Sequence, residues 1–145
     1  MVIYGVSFDM VGKQPIVLLK AVDTNKFLPI WIGHPEAAAI LMKLQGASTP
    51  RPMTHDLMND VLGELDVKCT QVAVTELRDN TFFASITLQQ NGRELEVDSR
   101  PSDALALAVR TGADRQREGV ARPGVDLDVA PVDRQRDGRV EGVFA

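Results

Sequence analysis

Three short segments of the chain combine prolines with side chains that can bind phosphate or move protons. They are GHPEA at 33–37, PRPMTHDL at 50–57 and VDSRPSDA at 97–104. Each lies where a helix is predicted to begin, and the free N–H groups and dipole of a helix start attract anions. Arg51 and Arg100 lie in two of these segments, so together they are predicted to clamp a phosphate group.

His55 and Asp56 are neighbours in the second segment, in the predicted first turn of a helix. Histidine is the side chain best suited to act as a base near pH 7, so His55 is a candidate catalytic base or acid and Asp56 a candidate partner. Adjacent residues on a helix do not face each other, which disfavours a direct dyad between them. The alternative is an exposed histidine beside a carboxylate that only stabilises the helix start.

The third segment is the densest in polar side chains. A site that cleaves phosphodiesters needs a positive clamp, a base or metal-bound water, and a proton donor for the leaving oxygen. Asp98, Asp103 and Glu36 are the candidate catalytic carboxylates, and their oxygens are also candidate ligands for Mg²⁺ or Mn²⁺. A structural role is equally open, in which Asp103 complements the helix dipole and Arg100 pairs with Asp98.

Hydroxyl groups complete the candidate set. Thr54, predicted to cap its helix, and Ser99 and Ser102 are further candidates for substrate contacts. An esterase or other hydrolase that uses Ser99 or Ser102 is the weakest hypothesis, because neither serine lies in a GxSxG elbow. A zinc site formed by His34 and His55 is disfavoured because no HExxH-type spacing supports it.

Composition limits the function classes. A chain of 145 residues is enough for one domain, and its net charge of −4 argues against coating nucleic acid through bulk electrostatics. Binding of a polynucleotide would therefore depend on a local cluster of Arg and Lys. No run approaches the roughly 18 apolar residues of a membrane span, and MVIYGVSFDM does not resemble a signal peptide. With a single cysteine, Cys69, the chain has no internal disulfide, and a cytosolic protein is expected.

The elements that must position these residues follow from alternation, apolar faces and turn residues. Strands are predicted at 2–8, 15–22, 27–32, 67–77, 81–89 and 93–98, and helices at 35–45, 55–65 and 101–112. A shift of 66 residues places Asn25 on Asn91 and Pro35 on Pro101. The pattern predicts an α+β fold in which a β-β-α type unit is duplicated, with a mostly antiparallel sheet packed against helices.

Two further predictions concern the surroundings of this body. The helix at 35–45 is apolar nearly all round, so another helix or a second subunit must cover it, and a homodimer is predicted. Residues 1–112 form the predicted domain, and residues 113–145 a charged, loosely ordered tail in which GVDLDVA can form a short edge strand.

The runs LPIWIGHPEAAAI, PRPMTHDL and DSRPSDALALAVRTG closely resemble the bifunctional nuclease domain family, in the family's order and spacing. The resemblance covers roughly residues 1–112 and implies an α+β fold with a repeated motif and activity on both RNA and DNA. Every candidate residue named above, apart from His34 of the disfavoured zinc site, falls on a family motif. The chain departs from the family after its last helix, where ADRQREGVARPG replaces the usual apolar strand and puts the sheet edge in doubt.

Two main functions remain open. The first is a nuclease in which Arg51 and Arg100 hold phosphate, His55 moves the proton, and carboxylates bind metal or handle protons. The second is a non-catalytic regulatory or adaptor domain that binds a protein partner or a small anion at the same helix starts. The acidic composition favours the second, because a general nuclease usually displays more positive surface.

Overall fold

In the computed structural model, the described residues are 1–21, 24–118 and 126–129. The elements in chain order are β1 (Val2–Phe8), β2 (Pro15–Lys20), β3 (Phe27–Trp31), α1 (His34–Leu44), α2 (Thr54–Glu64), β4 (Lys68–Arg78), β5 (Thr81–Gln90), β6 (Arg93–Ser99), α3 (Pro101–Glu118) and β7 (Asp126–Val129). None of the helices in these ranges is long and apolar enough to cross a membrane.

The duplicated α+β architecture is confirmed. The first three strands begin at Val2, Pro15 and Phe27, and the next three begin at Lys68, Thr81 and Arg93, which reproduces the 66-residue shift at every strand. Each unit thus has three strands followed by a helix, α1 in the first and α3 in the second. The strands form two sheets instead of a single one, an antiparallel β1-β2-β3 sheet and a β6-β5-β4-β7 sheet.

Turn and edge chemistry agree with the sequence. Asn91 and Gly92 both have positive φ, at 50° and 76°, which is the backbone that a two-residue hairpin requires. Pro29, which cannot donate a ladder hydrogen bond, lies in β3 at the edge of its sheet. The predicted edge strand in GVDLDVA is present as β7, parallel to β4. Apart from β7 and residues 113–118 of α3, the predicted tail lies outside the described residues.

The core has two parts that share α3. One part packs the first sheet and α1 against α3, and the other packs the second sheet against α3. Residues 104–108 of α3 are all buried, because the helix has a sheet on each side of it. Helix α3 packs against α1 and covers a side of it that the sheet leaves open.

Three local predictions are wrong. Helix α3 does not end at Gly112 but continues to Glu118, through a run of helix-favouring residues with no proline. Alternation along 93–98 predicts that Leu95 and Val97 face inward, and they do lie opposite Leu88 and Ile86. They are nevertheless about half exposed, because α3 packs on β4 and β5 and not on the edge strand β6. The N-cap of α2 is Met53, with Thr54 as the first helical residue.

The spacing of the apolar residues at 57, 58, 61, 62 and 65 predicts an apolar face on α2, and this face is mostly uncovered. Among the apolar side chains of α2, only Leu62 packs against the core. The exposed apolar stripe of α2 consists of Leu57, Met58 and Val61 and is continued by Leu65 at the C-cap. These side chains lie on the flank of α2 away from Asp56, so the stripe and the contacts of Asp56 are on different sides of the helix.

Candidate functional site

The starts of all three helices meet at one cluster of charged side chains. Arg100, just before α3, donates to Asp103 through Nε at 2.7 Å and through Nη2 at 3.1 Å. Its Nη1 lies 3.2 Å from Oε1 of Glu36 in the first turn of α1. Nε2 of His55, in the first turn of α2, lies 2.9 Å from Oδ1 of Asp103. We call these four residues the Arg100 cluster.

Exposure within the Arg100 cluster is uneven. The side chain of His55 is 9% exposed and that of Asp103 27%, whereas that of Arg100 is 65% exposed. A large anionic ligand therefore reaches Arg100 first. Behind the arginine, Asp103 holds both the guanidinium and the imidazole.

The protonation of Asp103 determines which nitrogen of His55 carries hydrogen. The hydrogen bonds from Arg100 lower the pKa of Asp103 below its usual range, burial opposes this, and the bond to His55 lowers the pKa further. An ionised carboxylate only accepts hydrogen bonds, so Nε2 of His55 is the protonated nitrogen. In the neutral ring, Nδ1 is then the acceptor. Within the described chain no hydrogen bond to Nδ1 is found, and no fully buried side-chain N or O atom lacks a partner there, so Nδ1 is at least partly accessible to solvent.

Asp56 lies on a different side of α2 and has a different partner. Its Oδ1 accepts from Nε of the buried Arg110 at 2.7 Å, and its Oδ2 accepts from the backbone N–H of Met53 at 3.0 Å. Burial tends to raise the pKa of Asp56, but the bonds from Met53 and Arg110 hold it below its usual range. As expected for adjacent helical residues, His55 and Asp56 do not form a dyad. The partner of His55 is Asp103.

Sequence reasoning missed Arg110. This side chain is 4% exposed and also donates to the carbonyl oxygens of Ala106 at 2.8 Å and Ala39 at 3.3 Å. The available signal was a single charge inside the apolar run LALAVRTG. A charge in such a run is buried only if it is paired and hydrogen-bonded.

The backbone before α1 is shaped around Glu36. Gly33 is the N-cap of α1 and provides no side-chain cap. A Cβ atom added at Gly33 would collide with the carboxylate of Glu36. Glycine at this position therefore lets Glu36 fold back over the helix start to reach Arg100.

Comparison with known proteins agrees with this architecture. The sequence model of the bifunctional nuclease domain family matches residues 17–115. The chain belongs to the bifunctional nuclease domain family. Two proteins described as uncharacterized, from two strains of Mycobacterium tuberculosis, are each 38% identical to it over 110 residues, or 76% of this chain. The chain matches 65% of the length of those curated relatives. The matched range of the bifunctional nuclease domain includes the whole Arg100 cluster and Arg110.

Several predicted site residues lie outside the Arg100 cluster of this bifunctional nuclease domain. Arg51 is exposed, and within the described chain its side chain has no ion pair or hydrogen bond. Asp98 is exposed on β6 and does not pair with Arg100, which binds Asp103 and Glu36 instead. Ser99 donates to the carbonyl oxygen of Arg100 at 2.9 Å. Ser102 is buried and Thr54 is exposed.

A divalent metal ion such as Mg²⁺ or Mn²⁺ needs several oxygen ligands converging on one point. Glu36 and Asp103 both bind Arg100, which occupies the position between them that a cation would need, and Asp98 does not join them. Among the residues that the structure describes, no three His, Cys, Asp or Glu side chains are grouped to hold a metal. The geometry of this bifunctional nuclease domain therefore does not fit a resident Mg²⁺ or Mn²⁺ ion.

Proposed function

We propose that this domain hydrolyses phosphodiester bonds in RNA and DNA at the Arg100 cluster. The observation that carries the proposal is an exposed arginine backed by a His55–Asp103 pair, at the point where three helix starts meet. Membership of the bifunctional nuclease domain family supports the reaction class. An exposed phosphate-binding group and a shielded proton-transferring group are two of the three parts that such a reaction needs.

Arg100 is the proposed phosphate-binding group. With a neutral His55, the charges of Glu36, Asp103 and Arg100 sum to −1, which by itself repels a phosphate. The phosphate must therefore replace Glu36 on Nη1, while the two bonds to Asp103 keep the guanidinium in place. Arg51 has no partner in the described chain, so it remains available as the second arginine of the clamp.

His55 is the proposed general base. Its solvent-reaching Nδ1 takes a proton from water, the water oxygen attacks phosphorus, and the bond from phosphorus to the leaving oxygen breaks. Asp103 stabilises the imidazolium that forms. The leaving oxygen takes its proton from solvent water, and Glu36, once displaced from Arg100, is the carboxylate that we propose relays it. Direct contact of substrate with Thr54, Ser99, Ser102 or Asp98 stays a prediction.

The test compares cleavage of labelled single-stranded RNA and DNA by wild-type and Arg100→Ala protein, each with Mg²⁺, Mn²⁺ or EDTA. Arg93→Ala is the matched control, because it removes an equally charged, exposed side chain from β6. Loss of cleavage in Arg100→Ala and its retention in Arg93→Ala support the proposal. Equal activity of the three proteins removes Arg100 from the site, and a wild-type protein that is folded yet inactive in all conditions removes the nuclease.

A second proposal is self-association, and the exposed apolar stripe of α2 favours it. Leu57 and Leu65 are 56% and 58% exposed, and together with Met58 and Val61 they leave apolar side chains uncovered along about two turns of helix. The partner that we propose is a second copy of the chain, which would give the homodimer predicted from sequence. Light scattering after size exclusion should then give twice the chain mass for wild type and the monomer mass for Val61→Asp. A monomeric wild type at high concentration contradicts the dimer.

A further inference from the structure

Arg110 joins all three helices through one buried guanidinium. It lies on α3, its Nε bonds Asp56 on α2, and its Nη2 bonds the carbonyl oxygen of Ala39 on α1. Its Nη1 bonds the carbonyl oxygen of Ala106 on its own helix. A buried charge with this many directed bonds has little freedom to move, so it fixes the groups that it binds.

The spacing along α3 relates Arg110 to the Arg100 cluster. Asp103 and Arg110 are seven residues apart, which is about two helical turns, so they project from the same side of α3. Asp103 binds His55, and Arg110 binds the next residue, Asp56. The first turn of α2 is thus attached to α3 at two points, one on each side of the turn.

We propose that Arg110 is a positioning residue that holds His55 on Asp103. Arg110 orients Asp56, Asp56 fixes the N-cap of α2 through the N–H of Met53, and the orientation of that turn determines where the imidazole of His55 points. Among the described residues, no hydrogen bond or ion pair joins Arg110 directly to the Arg100 cluster. The inference rests on the proposed function only for its effect on cleavage, because its effect on the imidazole can be measured without substrate.

The experiment observes the imidazole directly by ¹⁵N NMR. The chain has two histidines, and a His34→Gln background leaves His55 alone in the spectrum. Wild type should show the Nε2-protonated ring with a protected Hε2, and Asp103→Asn supplies the reference for loss of that bond. In Arg110→Met and in the milder Asp56→Asn, exchange of Hε2 should accelerate at least about tenfold, with Arg110→Lys intermediate and Arg93→Met like wild type.

Each outcome decides the inference. Folded Arg110→Met and Asp56→Asn proteins with a wild-type His55 spectrum overturn it. Loss of the whole fold in both variants overturns it as well, since Arg110 is then a general stability residue. If wild type cleaves nucleic acid, the variants should lower kcat and leave KM nearly unchanged. A wild type without activity refutes the proposed function alone, and the spectra still report on Arg110.

Discussion

The contact between Glu36 and Arg100 can be removed without touching either residue. In Gly33→Ala, the added Cβ collides only with the carboxylate of Glu36, which is the end of a flexible side chain and can swing away. The φ of Gly33 is −73°, which alanine adopts without strain. The variant should therefore fold, with a loss of roughly 0.5–1 kcal/mol because alanine is a poorer N-cap than glycine.

The size of the expected change in phosphate affinity follows from the exposure of the Arg100 side chain. Arg100 is 65% exposed, and an exposed ion pair such as Glu36–Arg100 is worth at most about 1 kcal/mol. Because Glu36 competes with phosphate for Nη1, its displacement should tighten phosphate binding by up to about fivefold. The assay is the inhibition constant of inorganic phosphate, or the KM of a short oligonucleotide, for Gly33→Ala, Glu36→Gln and wild type. Weaker or unchanged binding in both variants would refute the competition between Glu36 and substrate.

Two further predictions concern stability. Gly63→Ala should raise the free energy of unfolding, measured by urea titration, by about 0.5–1 kcal/mol. The reason is that Gly63 lies within α2 and an added Cβ would meet no other atom within 4 Å. A lower free energy of unfolding in the variant would contradict this. The folded-state pKa values of Asp56 and Asp103 are lowered, so their stabilisation is present above their unfolded pKa near 4 and is lost as the pH falls through the folded values. The urea concentration at the unfolding midpoint should stay level from about pH 7 to 5 and decrease once the pH is below about 4. This decrease should be shallower in Asp56→Asn and Asp103→Asn. Equal decreases in the wild type and both variants would contradict the stabilising role of these two carboxylates.

Much of the fold was predictable from local sequence, because short-range signals determine its elements. Alternating β-branched residues and the turn Asn91-Gly92 place the strands to within two residues at their ends. Proline near the start predicts the beginnings of α1 and α3. The predicted end of α3 at Gly112 is wrong because a glycine ends a helix only when the residues after it no longer favour helix. The residues after Gly112 continue to favour helix.

The site was predictable in part. Helix starts rich in polar residues identify His55, Arg100, Asp103 and Glu36 as candidates, and the structure joins all four. The pairing itself depends on how α2 lies against α3, which no local pattern encodes. The role of Arg110 depends on the same packing, and so does the exposure of the apolar stripe of α2.

The central claim is that His55 transfers the proton while Arg100 binds the phosphate. The most direct measurement is the cleavage rate of a labelled single-stranded RNA by His55→Gln and wild-type protein, both folded by circular dichroism. We expect kcat to fall by about 10²- to 10⁴-fold in His55→Gln while KM changes little. A His55→Gln protein that cleaves at the wild-type rate would contradict it.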